Sequence, residues 1–234
     1  MNHESALIRQ HLKTPRAAAI AGIIFSVLLM TSQVLIWLSI PAYRSTPAVE
    51  IVRHSNTIVF ALNLLPFAGI AFLWFIAVIR DRMGELEDRF FATVFLGSGL
   101  LYVAMFFTAT AIAGALVGLL TAGQAEPTSS GLYLLGRAEI YRFMSLFATK
   151  MSAVFMMSSS TIFLGTGILP RWVAFCGFVL ALGLLLSIGI LTWISALFPL
   201  WVILISLCIL LRGRSSEAGR LRVASENSKR DAQA

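Results

Sequence analysis

The strongest constraint on this chain is the length of its unbroken apolar runs. Ala17–Ile40, Thr57–Ile79 and Phe90–Leu120 contain no Asp, Glu, Lys or Arg. Each is at least as long as the roughly 20 residues an α-helix needs to cross a hydrocarbon layer about 30 Å thick. Trp172–Leu211 adds 40 residues, enough for two spans joined by a tight turn near Gly189–Trp193. In such a layer the backbone must satisfy its own hydrogen bonds, which a helix does. The composition agrees: of 234 residues, 58% are hydrophobic and 12% charged, against roughly a quarter charged in a soluble domain. The expectation is an all-α integral membrane protein, a bundle of six transmembrane helices occupying residues 17–211.

Leu132–Leu169 is the ambiguous stretch, too long for one span and too short for two. One helix from about Glu139 to Ile162 places Lys150 near the bilayer centre, where a lysine costs about 2.5–3.5 kcal/mol, and no acid in the spans could pair with it. The alternative lays Leu132–Thr149 along the outer surface as an amphipathic interfacial helix, with the fourth span running from Met151 to Leu169 and Lys150 snorkelling to phosphates. The second arrangement avoids the buried charge and is preferred. Phe90–Leu120 is about ten residues longer than a perpendicular crossing requires, so it must tilt, kink or protrude. Ser55 and Asn56 are possible caps for the second span, and Pro66 removes one of its backbone hydrogen bonds.

Positive charge sets orientation, because cytoplasmic loops hold the excess of Lys and Arg. Thirteen of these residues fall on the side of the two termini and four on the other, so both termini are expected in the cytoplasm. Residues 1–16 form a short amino-terminal segment, and residues 212–234 a polar, basic tail too poor in apolar groups to fold. Trp37, Trp74, Trp172 and Trp193 lie at span ends, where indoles favour the headgroup level; Trp201 does not. A signal peptide would have a shorter apolar core than Ala17–Ile40. The bias to arginine over lysine, fifteen to three, points to GC-rich coding and a bacterial cytoplasmic membrane. The net charge of +7 is dispersed between apolar runs, unlike a nucleic-acid-binding patch.

Few chemistries have their residues in place. His3, His11 and His54 lie outside the spans, and no Asp or Glu lies within one, which leaves no histidine metal or haem site, no buried Ser–His pair and no acidic proton relay. Cys176 and Cys208 read as small packing residues. Gly97-Ser-Gly99 and Gly165-Thr-Gly167 lack the rest of any nucleotide fingerprint. No cofactor or catalytic residue is expected. Gly114 and Gly118 match the GxxxG pattern of closely packed helices. Ser158, Ser159, Ser160 and Thr161 either bond the preceding turn or line a polar cleft with Gln33, Asn63 and Lys150. Asn63, three residues before Pro66, would then sit at a kink of the kind transporters use at the midplane.

The stretch MSAVFMMSSSTIFLGTGILPRW, Met151–Trp172, followed by two closely joined spans and an arginine-rich tail, resembles six-span bacterial membrane proteins of actinobacterial type, a group with no assigned activity. The resemblance implies the fold and no residue roles. The leading functional expectation is a non-enzymatic accessory, interaction or lipid-contact protein, with membrane lipids and a protein partner or a second copy as its contacts. The alternative is a small transporter or permease component binding a polar or anionic ligand near Lys150.

Overall fold

The computed structural model describes residues 2–39, 48–83, 89–122, 131–167, 169–187 and 192–212, and all regular structure among them is helical. Helix α1 spans Asn2–Ser39, a short α2 spans Ala48–Arg53, α3 spans Ser55–Met83 and α4 spans Arg89–Thr121. Helix α5, Gly131–Tyr141, runs through a π-helical segment, Arg142–Ala148, into α6, Thr149–Thr166; α7 is Arg171–Leu186. A 3₁₀ turn, Thr192–Ala196, leads into α8, residues 197–212. Five helical runs are long and apolar enough to cross a membrane: Ala17–Ile36, Ser55–Arg80, Phe90–Thr121, Gly131–Thr166 and Ile194–Arg212. The fold is of the all-helical membrane type. Helix α7, 16 residues long, is apolar but shorter than the others.

The interior is organised by aromatic rings, one from each of five helices. Phe25 of α1, Phe72 of α3, Tyr102 of α4, Phe155 of α6 and Phe198 of α8 meet at the centre. Phe72 lies 4.5 Å from Phe25, 5.6 Å from Tyr102, 5.2 Å from Phe155 and 5.6 Å from Phe198, centroid to centroid. Most of these pairs are tilted or edge-on, as ring quadrupoles favour. Between helices surrounded by lipid the apolar transfer term is small, so such dense packing carries the association. The last helix is central: Phe198, Trp201, Val202, Ile205, Ser206 and Ile209 are buried, spaced along one face of α8.

Helix ends follow local chemistry. Gly167 stops α6 in the left-handed conformation, φ 63°, where a side chain would be strained, and its N–H returns to the carbonyl of Phe163 at 3.1 Å. Pro170 then starts α7, its missing N–H being of no consequence there. Ser55 and Asn56 do not open a free helix. Hydrogen bonding passes through His54, whose N–H reaches the Glu50 carbonyl at 3.2 Å and whose own carbonyl accepts from Ile58 at 3.0 Å. Helix α3 also continues across Pro66.

The stretch from Leu132 corrects the preferred arrangement. Residues 131–166 form one continuous helical run, about 54 Å long at 1.5 Å per residue, with no break at Lys150 from which a separate surface helix could turn away. Ala148 and Thr149 both hold ordinary helical dihedrals, φ −61° and ψ −41°. The extra length is matched by α4, and the two long helices pack side by side along most of their course. The amino-terminal segment is also a continuation, since α1 begins at Asn2. The tail beyond Arg212, residues 188–191 of the expected tight turn and residues 123–130 of the expected loop after Leu120 lie outside the described residues.

Candidate functional site

Lys150 is placed by two antiparallel helices of matching length. It lies 16 residues before the end of α6, and α7, which turns back at Gly167–Pro170, is 16 residues long. The lysine therefore sits level with the carboxyl end of α7. Its ammonium donates to the carbonyls of Leu184 at 3.1 Å, of Ser187 at 2.6 Å, and of Leu185. These are among the carbonyls a helix end leaves without an intrahelical donor, and they form the negative pole of the helix dipole. No acid is needed: three donors meet three acceptors. At the opposite end Arg212 donates to the Gly167 carbonyl at 3.3 Å, so both ends of the α6–α7 hairpin are closed by a cation on backbone oxygen.

The hydroxyl run does not join Lys150. Ser158 donates to the Val154 carbonyl at 2.9 Å, Ser159 to Phe155 at 2.5 Å and Thr161 to Met157 at 3.0 Å, each bonding its own preceding turn. Ser160 is fully buried with no hydrogen-bond partner, packed where α7 presents Gly177; a methyl group there would overlap the Ser160 hydroxyl and come within 3.0 Å of the Trp201 indole. Asn63 is exposed on α3 and Gln33 half-buried on α1. The polar link between α1 and α3 is Ser32, whose hydroxyl donates to the Ala61 carbonyl at 2.8 Å, one residue from the carbonyl that Pro66 leaves without its helical donor. Gln33, Asn63, Lys150 and Ser158–Thr161 thus have separate surroundings, and none of them lines the cavity described next.

Among the described residues Gly114 and Gly118 are not points of close approach, since a side chain at either would meet no atom within 4 Å. The close contacts fall at Gly22, against Ser206 and Phe75, at Gly99 against Ile76 and Phe155, and at Gly177. The GxxxG spacing marks glycines on one helical face but says nothing of what faces them.

A cavity of about 320 Å³ opens at the end of the bundle that carries α2 and the start of α5. Ala109, Thr110, Ala113, Leu116, Val117 and Leu120 line it from α4. From the opposite side come Tyr133, Arg137, Ile140 and Tyr141 of α5, with Met144 and Ser145 of the π segment. Ile58, Leu62 and Leu65 of α3, Ile51 of α2 and Ile36 of α1 complete the wall. Most of these residues recur at i, i+4, i+7, i+8 and i+11, from Ala109 on α4 and from Tyr133 on the run of α5 into the π segment, so one helical face of each lines the space. Arg137 is the charged side chain among these lining residues. Among the described residues no three His, Cys, Asp or Glu side chains gather as metal ligands would.

This cavity was not anticipated from the sequence. Its one local signal is Arg137 flanked at four-residue spacing by Tyr133 and Tyr141, a cation and two phenols on one face; apart from Thr110 and Ser145 the rest of the wall is apolar residues indistinguishable from packing. Comparison with models of known families, with curated proteins and with solved structures finds no match to this chain.

Proposed function

We propose that the protein is a non-enzymatic integral membrane protein whose role is contact, with lipid and with a protein partner or second copy. It crosses the bacterial cytoplasmic membrane six times with both termini inside, as the six-span resemblance of Met151–Trp172 implies, and binds no nucleic acid. The observation that carries the reading is the engagement of Lys150 with α7. An ion-coupled or anion-binding transporter would need a charged group at depth available to its cargo. Here the ammonium is committed to backbone carbonyls. The same bonds support counting α7 as a crossing, the fifth of six: 16 residues rise about 24 Å, short of a hydrocarbon core near 30 Å, and its carboxyl end has a cation where water is scarce. Large side chains such as Trp74, Val179 and Leu186 are exposed, on surfaces suited to acyl chains.

The test is ligand-dependent stabilisation of purified protein in bilayer discs, measured across small carboxylates, phosphates and sulfonates. Contact function predicts no stabilisation that depends on Lys150, in wild type or in Lys150→Arg. A melting shift of several degrees with one soluble anion, abolished by Lys150→Met, would restore the transporter reading.

A further inference from the structure

We propose that the groove between α3 and α4 holds one bilayer phospholipid, its phosphodiester at Arg80 and an acyl chain laid along α3. The inference deepens the lipid-contact reading and rests on it. Leu73, Ile76, Ala77 and Arg80 line the groove from α3 and Leu96 lines it from α4, around a volume of about 480 Å³. The α3 residues stand at i, i+3, i+4 and i+7, one face of a helix. The shape of the groove has a local cause. Two glycines bring the helices together: Gly99 meets Ile76, and Gly69, further into the span, meets Phe107. Ile76 is buried and forms the floor, while the small side chain of Ala77 leaves the trough open between Leu73 and Arg80. Ala77 and Arg80 are exposed, so the groove opens on the outer surface of the bundle, where bilayer lipid lies.

Charge decides the occupant. Arg80 is the last residue of the apolar run Ser55–Arg80, where a cation reaches the headgroup level, and in the proposed orientation it faces the cytoplasmic leaflet. Among the described residues its guanidinium has no hydrogen-bond or ion-pair partner. A guanidinium presents a planar fork of donors to phosphate oxygens, and basic pockets between spans on the cytoplasmic side hold lipid headgroups. From Arg80 back to Leu73 the α3 wall is about 10 Å long at 1.5 Å per residue, leading from the headgroup level toward the membrane interior. A cation at the mouth and an apolar trough running inward from it fit one molecule that joins a phosphate to an acyl chain. Free phosphate would leave the trough unfilled, and a phosphate-free amphiphile would leave the guanidinium unmatched.

The experiment uses the full chain in dodecyl maltoside micelles, which carry no phosphate, and a phosphatidylglycerol photolabel with a diazirine on its acyl chain, label positions being read by peptide mass spectrometry. Label is expected at Leu73, Ala77 and Leu96, displaced about tenfold better by dioleoyl phosphatidylglycerol than by dioleoylglycerol, the scale of one hydrogen-bonded charge. Arg80→Gln should erase that difference, and Ala77→Trp should remove label from Leu96 while label at Val179 and Leu186 persists. In wild type alone, equal displacement by dioleoylglycerol would overturn the proposal. So would displacement by inorganic phosphate, the mark of a site for the free anion, or protection of Leu73, Ala77 and Leu96 beside labelled Val179 and Leu186, the mark of a protein partner over the groove. Absence of label at Val179 and Leu186 as well as in the groove would overturn the lipid-contact reading itself.

Discussion

Replacing Lys150 by methionine separates three accounts of this residue by the sign of one number. In the structure its ammonium donates to three carbonyls at the end of α7. Hydrogen bonds to a charged group are worth about 1.5–3 kcal/mol each, so three give roughly 4.5–9 kcal/mol. Removing the lysine returns at most the roughly 2.5–3.5 kcal/mol that a lysine costs at the bilayer centre. Setting low against low and high against high leaves a net loss of about 2–5.5 kcal/mol for Lys150→Met. A lysine snorkelling to phosphates predicts no change, and an unpartnered buried one predicts a gain. The assay is reversible unfolding in mixed micelles, read with amide hydrogen exchange over residues 183–187, since losing the cation frees the last turn of α7 to fray. Lys150→Arg keeps a donor fork and should retain more than half the stability. A methionine variant as stable as wild type, with unchanged exchange, would refute the capping argument.

Three further substitutions follow from packing. Gly177→Ala overlaps the Ser160 hydroxyl and crowds Trp201 and should lower stability by about 1–3 kcal/mol. Gly114→Ala, facing open space, should change it by less than about 0.5 kcal/mol; thermal melts of the two, compared directly, would contradict the assignment if the order reversed. Phe72→Ala empties the hub of five rings and should cost about 3–5 kcal/mol, more than the same change at exposed Phe175. The double change Ser158→Ala, Ser159→Ala removes only bonds to the preceding turn and should shift unfolding by less than about 1 kcal/mol, where a cleft lining would lose ligand binding.

What the sequence made legible is what depends on one helix at a time. The spans at Ala17, Thr57 and Phe90 follow from charge-free length, and Trp201, set apart from the other tryptophans, is buried against α7. What it hid depends on which faces meet. Lys150 looked costly because its partners are backbone carbonyls, which every residue carries and no side-chain pattern displays. The serines looked like a cleft because hydroxyls bonded to their own turn and hydroxyls facing a ligand are spelled alike. Gly114 and Gly118 have the spacing of a contact, yet Gly177 and Gly22, without it, make the contacts. Leu132–Leu169 misleads for a physical reason: Arg137, Glu139 and Arg142 suggest a surface helix, but Glu139 and Arg142 pair with each other at 3.3 Å while the run stays helical into α6.

The central claim, six crossings with a short α7 counted among them, is tested most directly by the sidedness of single cysteines in a background carrying Cys176→Ala and Cys208→Ala. In intact cells Ser45→Cys and Ser129→Cys should react with a membrane-impermeant thiol reagent and Ser215→Cys should react only after permeabilisation. Labelling of position 215 together with 45 and 129 in sealed cells, the pattern of five crossings in which α7 stays on one side, would contradict the account.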